Sequence, residues 1–276
     1  MSQKNLASIR CFLLDMDGTF YLGNHLLDGA LDFMEVLQRQ GRDFVFLTNN
    51  SSNRGFAYAQ KISAMGFPLS PDKVFTSGEA TARFLLREFP NQRIYLVGTP
   101  ALKEEFRQYG LNLVQDHADI AVVGFDTTLT YNKLHRLCDY VRAGLPYIAT
   151  HPDYNCPTEG GYLPDIGAII AFVKASTGRE PDRIIGKPHR QIIDELALKL
   201  HLPLQNLAMI GDRLYTDIAL GQTAQITTIL VLSGETKLED VSSSPFQPDF
   251  IFENLGKVAE SLSQLDIQAE TTRKRG

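Results

Sequence analysis

Short apolar runs alternate with amphipathic stretches along most of the chain. Runs rich in apolar and β-branched residues predict strands at residues 9–15, 44–48, 74–76, 94–97, 120–125, 147–150, 207–211, 228–232 and 250–252. Apolar residues at helical spacing predict helices at 30–40, 56–65, 80–88, 102–109, 131–142, 167–176, 189–200 and 215–222. This alternation of short strands and helices predicts an α/β protein with a doubly wound parallel sheet.

The interval between residues 48 and 187 contains more strand–helix pairs than one parallel sheet needs at that point. We therefore expect an inserted α/β domain that leaves the core near residues 79–83 and returns near 180–183. Gly178 and Pro181 lie in the polar stretch at the return, which is typical of a linker. The predicted division is a first core part at 1–80, the insert at 81–180 and a second core part at 181–276.

Composition narrows the classes of protein that the chain can be. Of its 276 residues, 43% are hydrophobic, and the formal net charge is -5, which does not favour a nucleic-acid or membrane-surface partner. We see neither an apolar run of membrane-spanning length nor a signal-like N-terminus. The cysteines Cys11, Cys138 and Cys156 have no metal-like spacing and indicate reduced thiols in a cytoplasmic protein.

Polar residues of catalytic type follow several of the predicted apolar runs. They are Asp15 and Asp17, then Thr48, Asn49 and Asn50, then Lys187 before a helix, and finally Asp212 and Asp217. In open parallel sheets, ligands bind at the carboxyl ends of the strands. A group of carboxylates without thiol or imidazole partners favours a hard cation, Mg²⁺ first, and hydroxyl, amide and ammonium donors suit a phosphate.

Each of these residues also has a purely structural interpretation. Asp15 could be a turn residue at a strand end, and Thr48 could be the N-cap of the following helix. Lys187 could be a solvated surface lysine, as most lysines are. Asp212 and Asp217 could be acids at a helix start, where the helix dipole favours them.

The sequence nevertheless resembles a known family at four places in the same order. The segments DMDGT, TNN, GKP and GDRLYTD are similar to the four motifs of the haloacid dehalogenase superfamily. The long insert between the second and third motifs resembles the branch with a type-2 cap domain. Together with the stretch HPDYNCPTEGGYLP, the motifs resemble subfamily IIA, which includes NagD and p-nitrophenylphosphatase. The likeness spans about residues 9–255 and implies a Rossmann-like core with an inserted α/β cap.

The resemblance implies roles for the acidic residues. Asp15 would be the nucleophile that becomes an aspartyl phosphate, and Asp17 the general acid and then the general base. Mg²⁺ would be held by the carboxylates of Asp15 and Asp212 and by the backbone carbonyl of Asp17. Asp217 would support the metal through water or orient Lys187.

The resemblance also implies how the phosphoryl group is bound. Thr48 and the backbone of Asn49 would contact its oxygens, with Asn50 as a helper, and Lys187 would neutralise its charge.

The cap loop provides weaker candidates. Asp153 and Asn155 are expected either to contact the substrate or simply to form a turn. Asp165 stands where the family usually has glycine, and we expect this extra carboxylate to alter the loop or to repel acidic substrates.

The resulting hypothesis is a Mg²⁺-dependent phosphatase that hydrolyses small phosphomonoesters through an aspartyl phosphate. Expected substrates are nucleoside monophosphates, sugar phosphates and p-nitrophenyl phosphate. The expected partner is a small phosphorylated metabolite, with a homodimer formed through the cap and no nucleic-acid or membrane partner. Two alternatives stay open: a phosphotransferase or phosphomutase, and a phospho-signalling module that does not turn over.

Overall fold

The computed structural model describes residues 4–158 and 160–273, with side chains up to residue 265. In chain order its strands are β1 Cys11–Leu14, β2 Tyr21–Leu22, β3 His25–Leu26, β4 Asp43–Thr48, β5 Val74–Thr76, β6 Arg93–Val97, β7 Asn112–Leu113, β8 Ile120–Val123, β9 Tyr147–Ala149, β10 Asn155–Thr158, β11 Gly161–Pro164, β12 Arg183–Ile184, β13 Leu207–Gly211, β14 Thr227–Val231 and β15 Phe250–Phe252.

The α-helices follow the same numbering scheme. They are α1 Ala30–Gln40, α2 Gly55–Ala64, α3 Ser77–Glu88, α4 Pro100–Gln108, α5 Tyr131–Arg142, α6 Ile166–Thr177, α7 Gln191–Leu200, α8 Ala219–Ala224, α9 Leu238–Val241 and α10 Leu255–Arg273. A π-helix, Leu214–Ile218, directly precedes α8. No helix in the described part of the chain is both long and apolar enough to cross a membrane.

All the predicted strands are present, with ends that differ by a few residues. The predicted strand at 9–15 is shorter, Cys11–Leu14, because Asp15 lies beyond the strand end. The predicted helix at 215–222 is divided between the π-helix and α8. Helix α10 was not predicted from the sequence, although its buried residues Leu255, Val258, Ala259 and Leu262 have helical spacing.

The described chain divides into two compact units. The first contains the described residues up to Leu47, the segment Lys61–Leu69 and the described residues from Leu200 onward. The second contains Thr48–Gln60 and Ser70–Lys199. The core and insert boundaries at residues 80 and 180 stay a prediction.

The first unit contains parallel strands in the order β15-β14-β13-β1-β4. The central strand β1 places Leu14 opposite Ile210 of β13 on one side and Phe46 of β4 on the other. All four residues of β1 are buried, as expected for a strand covered on both faces. Helices α1 and α10 pack against each other. The acidic residues therefore follow strands whose register is determined by a buried core.

The second unit contains a separate parallel sheet in the order β12-β9-β8-β6-β7. Its core includes Tyr95, Val123 and Tyr147 from the strands and residues of α5 and α6. An antiparallel hairpin, β10–β11, places Asn155 opposite Pro164. The predicted α/β class with parallel sheets is confirmed.

Candidate active site

Three acidic side chains of the first unit lie close together. Asp15, Asp212 and Asp217 each offer a carboxylate oxygen, and these oxygens all lie within 4.8 Å of one another. Asp15 follows β1, and its backbone N–H continues the pairing of the strands by donating to the Ile210 carbonyl at 2.9 Å. Asp212 follows the neighbouring strand β13, and Asp217 lies in the π-helix. Residues nearly two hundred positions apart meet because β1 and β13 are parallel neighbours.

The carboxylate of Asp212 is held by hydrogen bonds and by close backbone contacts. Its Oδ2 accepts from the Glu235 N–H at 2.7 Å, and its Oδ1 accepts from the Thr19 hydroxyl at 3.3 Å. A Cβ at Gly18 would lie 2.5 Å from Asp212 Oδ2, and one at Gly234 would lie 2.0 Å from it. Glycine is therefore required on both sides of this carboxylate.

Asp217 is fixed in a similar way. A Cβ at Gly211 would lie 2.3 Å from the Cβ and Cγ of Asp217, so the last residue of β13 can only be glycine. The Oδ2 of Asp217 accepts from the Arg213 N–H at 3.2 Å. Since π-helices are frequent at functional sites, the local geometry that carries Asp217 agrees with a role in the site.

The acidic group has strongly perturbed electrostatics. Burial, together with the charges of Asp15 and Asp217, raises the pKa of Asp212 to about 7. Burial lowers the pKa of the Arg213 guanidinium. The nearby carboxylates of Asp15, Asp212 and Asp217 have the larger combined effect, so the pKa is raised. The Nε of Arg213 also lies 2.9 Å from Glu235 Oε2. Arg213 was not among the residues predicted from the sequence, although its position directly after Asp212 was a signal.

The donor set of this acidic group fits a divalent cation. It consists of carboxylate oxygens, which hard cations such as Mg²⁺ prefer. A cation among them would also lower the repulsion that raises the pKa of Asp212.

Asp17 differs from the grouped carboxylates. Its side chain is exposed, yet partial desolvation and the nearby Asp15 raise its pKa, against the opposing charges of Lys61 and Arg213. Because its pKa is raised, Asp17 keeps its proton to a higher pH than an ordinary aspartic acid does, and a general acid must carry a proton.

In the second unit, the residues after β4 form a hydrogen-bonded loop. Thr48 Oγ1 accepts from the Asn50 N–H at 3.1 Å, and Asn50 Oδ1 accepts from the Ser52 N–H at 2.9 Å. Helix α2 begins only at Gly55. The structural alternative in which Thr48 caps this helix is therefore wrong.

Asn49 joins this loop to Lys187. Its Nδ2 donates to the Lys187 carbonyl at 2.9 Å, and its Oδ1 accepts from the Lys187 N–H at 2.7 Å. A Cβ at Gly186 would lie 2.6 Å from the same Oδ1, so glycine is needed before the lysine. Lys187 is only 4% exposed, and the alternative of a solvated surface lysine is wrong.

The two cap-loop candidates have different surroundings. Asp153 accepts from Asn49 Nδ2 at 3.0 and 3.1 Å, so it contacts the loop predicted to bind phosphate. Asn155 is exposed at the start of β10.

Asp165 is not an open charge on the cap loop. It is buried and lies at the N-cap of α6, where it accepts from the Ile166 N–H at 2.6 Å. His151 Nε2 lies 3.1 Å from the same carboxylate oxygen. Hydrogen bonding within the loop thus accounts for Asp165.

Comparison with known proteins establishes the family. A model described as haloacid dehalogenase-like hydrolase matches residues 12–112, and one described as HAD-hydrolase-like matches residues 184–258. The acid sugar phosphatase of Staphylococcus saprophyticus is 36% identical over 260 residues, which cover 94% of this chain and 100% of that protein. The chain belongs to the haloacid dehalogenase-like hydrolases.

Solved structures agree with this assignment. This haloacid dehalogenase-like hydrolase is 49% identical to the 4-nitrophenylphosphatase of Thermotoga maritima, with a TM-score of 0.89 and coverage of 92% of this chain and 98% of that one. NagD from E. coli K-12 is 32% identical, with a TM-score of 0.84 and coverage of 90% and 97%. The predicted NagD-like subfamily, the fold class and the prediction of an enzyme of this family are confirmed.

Proposed function

We propose that this haloacid dehalogenase-like hydrolase is a Mg²⁺-dependent phosphatase acting on small phosphomonoesters through an aspartyl phosphate. The observation that carries the proposal is the grouping of three carboxylates: Asp15 and Asp212 follow adjacent parallel strands, and Asp217 of the π-helix lies with them. The names of the relatives, acid sugar phosphatase and 4-nitrophenylphosphatase, support sugar phosphates and p-nitrophenyl phosphate as substrates. Nucleoside monophosphates are a further proposed class.

Asp15, Asp212 and Asp217, with the backbone carbonyl of Asp17, would hold the cation. Mg²⁺ would supply positive charge that balances these carboxylates and the oxygens of the phosphoryl group.

The carboxylates of Asp15 and Asp17 have separate tasks. A carboxylate oxygen of Asp15 attacks phosphorus while the ester P–O bond breaks, and the departing oxygen takes a proton from Asp17. Asp17, now ionised, takes a proton from a water molecule whose oxygen attacks the same phosphorus. The bond from Asp15 to phosphorus then breaks, which releases inorganic phosphate and restores both acids.

Four groups are proposed to bind the phosphoryl oxygens. These are the Thr48 hydroxyl, the backbone N–H of Asn49, the Asn50 amide and the Lys187 ammonium. Asn49 holds the backbone of Lys187 by two hydrogen bonds, which supports a fixed position for the base of this side chain. Asp153 and Asn155 are proposed substrate contacts, and Asp153 also accepts a hydrogen bond from Asn49 Nδ2 at 3.0 Å.

The cellular setting is also part of the proposal. Cys11, Cys138 and Cys156 form no disulfide within the described residues, which is consistent with the cytoplasm. The partner would be a small phosphorylated metabolite, not a nucleic acid or a membrane, and two copies would associate through the cap formed by the insert at 81–180.

A panel of phosphate esters, assayed with Mg²⁺ and with a chelator, tests the function. We expect hydrolysis of p-nitrophenyl phosphate and sugar phosphates that the chelator abolishes. Asp15→Asn should abolish turnover and the labelling of the protein by radioactive substrate, whereas Asp32→Asn, at an exposed site in α1, should retain both. Normal activity in Asp15→Asn would refute the mechanism.

The same assays distinguish the two alternative functions. Transfer of phosphate to an added sugar alcohol in place of water would indicate a phosphotransferase. Stable phosphorylation without release of phosphate would indicate a signalling module.

A further inference from the structure

A buried imidazole in the second unit has no role in the proposed mechanism. His151 follows β9 and is fully buried, and its two ring nitrogens have different neighbours. Nε2 lies 3.1 Å from Asp165 Oδ1, whereas Nδ1 lies 3.0 Å from Thr150 Oγ1 and 3.4 Å from Ser77 Oγ. Because a neutral imidazole donates from one nitrogen and accepts at the other, these contacts decide where its proton lies.

The proton can be placed by counting the hydrogen-bond donors around the ring. The Asp165 carboxylate only accepts, so in a neutral imidazole Nε2 carries the proton and Nδ1 accepts. Ser77 has one hydroxyl proton, which it donates to the Asn49 carbonyl, so it has none for Nδ1. The Thr150 hydroxyl is therefore the donor to Nδ1.

The hydrogen bonds continue into the loop after β4. Thr150 Oγ1, whose proton goes to His151, accepts from the Ser51 hydroxyl at 2.9 Å. Ser51 Oγ in turn accepts from the Phe125 N–H at 3.0 Å. We call Ser51, Thr150, His151 and Asp165 the His151 chain. Each of the four is at most 3% exposed, so water does not replace a lost partner, and both hydroxyls are satisfied only when Nδ1 accepts.

The His151 chain also contacts the backbone that leads to Lys187. The Thr150 carbonyl accepts from the N–H of Gly186, the residue before the lysine, at 2.7 Å. A Cβ at Gly186 would lie 2.7 Å from the Cβ of His151, so the two residues are packed directly against each other. A change in the position of His151 is therefore felt at the base of the proposed phosphate-binding lysine.

The loop of Asn49 is held from the same place. Ser51 lies two positions after Asn49, and Ser77, beside Nδ1 of His151, donates to the Asn49 carbonyl. Asp153, two residues after His151, accepts from Asn49 Nδ2 at 3.0 Å. Residues next to His151 thus fix both the backbone carbonyl and the side-chain amide of Asn49.

We propose that His151, held in its Nε2–H tautomer by Asp165, is a positioning residue for phosphate binding. It fixes the loop that contains Asn49 and the backbone that precedes Lys187. The inference rests on the proposed phosphatase function and assigns to it two residues outside the four motifs. Loss of the bond between His151 and Asp165 weakens phosphate binding and leaves the Mg²⁺ requirement unchanged, because neither residue belongs to the acidic group.

Nitrogen NMR measures the tautomer directly. In the full chain with isotopically labelled histidine, the signal that disappears in His151→Gln belongs to His151. We expect a protonated Nε2 and an unprotonated Nδ1 at a pH of about 8, where an exposed histidine is neutral and exchanges between both tautomers. Any other pattern of protonation, such as the unprotonated Nε2 of a metal ligand, would overturn the assignment.

Two substitutions of Asp165 separate its bond to His151 from its role as helix cap. Serine and asparagine both cap helices, but serine is too short to reach Nε2, whereas asparagine keeps a carbonyl oxygen. With Mg²⁺ present, Asp165→Ser should raise the Kd for inorganic phosphate and the KM for p-nitrophenyl phosphate by about fivefold or more. Asp165→Asn should stay within about twofold of the wild type. Equal effects of the two substitutions, or no effect of Asp165→Ser, would overturn the inference.

Thr150 provides a second test that stays decisive where Asp165→Ser fails to fold. Thr150→Val removes the hydroxyl that donates to Nδ1 at nearly unchanged volume, and Thr150→Ser keeps it. We expect the Kd for inorganic phosphate to rise by about threefold or more in Thr150→Val alone. Thr81→Val is the control, because Thr81 is equally buried and its hydroxyl donates to the Ser77 carbonyl within α3. A similar rise in Thr81→Val, or none in Thr150→Val, would contradict the proposal.

The same measurements separate this inference from the proposed function. If the wild type neither binds inorganic phosphate nor hydrolyses p-nitrophenyl phosphate, the proposed function fails. If it does both and the variants Asp165→Ser and Thr150→Val match it, the function stands and the positioning role of His151 is wrong.

Discussion

The side-chain amide of Asn49 and the backbone of Lys187 are joined by two hydrogen bonds, one in each direction. Asn49 Nδ2 donates at 2.9 Å and Lys187 N donates at 2.7 Å. Both residues are buried, and 138 positions separate them in the chain. The pair therefore fixes the backbone of a proposed phosphate-binding lysine relative to the loop that follows β4.

Asn49→Ala should weaken both the fold and catalysis. It leaves a buried N–H and a buried carbonyl of Lys187 without these partners, which costs about 1–3 kcal/mol in the free energy of unfolding. We expect kcat/KM for p-nitrophenyl phosphate to fall by about tenfold or more as Lys187 loses its fixed position. Denaturant unfolding and steady-state kinetics measure the two effects. Asn112→Ala, at an exposed site, is the control, and unchanged kcat/KM in Asn49→Ala would contradict this role.

Gly18→Ala should disturb the acidic group, an effect that goes beyond the backbone strain of placing alanine at a positive φ. Gly18 has φ +85° and Gly23 has φ +60°, so alanine strains the backbone at both positions by about 1 kcal/mol. A Cβ meets Asp212 Oδ2 at 2.5 Å only in Gly18→Ala, since nothing lies within 4 Å of a Cβ at Gly23. We therefore expect a loss of activity and a higher Mg²⁺ requirement in Gly18→Ala, and neither in Gly23→Ala. Equal Mg²⁺ titrations of the two variants would count against this explanation.

Asp212→Asn should stabilise the metal-free protein while it weakens metal binding. The substitution removes one of three close carboxylates, and the relief of their repulsion should add about 1 kcal/mol to the free energy of unfolding in chelator. Addition of Mg²⁺ should then raise the unfolding temperature much less than in the wild type, because a ligand that binds only the folded state stabilises it less when its affinity is lower. Glu35→Gln, exposed in α1, is the control for loss of one negative charge. A wild-type Mg²⁺ shift in Asp212→Asn would exclude Asp212 as a ligand.

Glu105 should make stability depend on pH. Burial, reinforced by Glu79, raises its pKa from 4.5 to about 8. Between these two values the folded protein holds a proton that the unfolded chain releases. The free energy of unfolding therefore falls as pH rises through this window, by at most about 1.4 kcal/mol per pH unit.

Glu105→Gln removes this titration and should flatten the dependence of unfolding temperature on pH between 5 and 8. As pH rises, the unfolding temperature of Glu105→Gln should rise relative to that of the wild type, because glutamine cannot become a buried charge. Glu104→Gln, the exposed neighbour on α4, should follow the wild-type curve. Parallel curves for wild type and Glu105→Gln would show that Glu105 does not carry this pH dependence.

The sequence by itself determined the fold class and most candidates for the site. Apolar periodicity predicted the strands and helices because residues buried on both faces of a parallel sheet form continuous apolar runs. The motif residues Asp15, Thr48 and Asp212 could be selected because they lie at the ends of apolar runs, where parallel strands bind ligands, and because their motifs resemble those of the family. Short elements such as β7, β12 and the β10–β11 hairpin were missed, since two to four residues form a strand only where a neighbour supplies the hydrogen bonds.

Tertiary structure alone decided how these residues interact. It placed Arg213 among the carboxylates, joined Asn49 to Lys187 and Asp153, and buried Asp165 at the start of α6. Asp165 shows the difference clearly, because the sequence left open whether its carboxylate alters the loop or repels acidic substrates, and its hydrogen bonds show a helix cap. Hydrophobic periodicity is a local property of the chain, whereas the pKa of a carboxylate and the partner of an amide depend on residues brought near by folding.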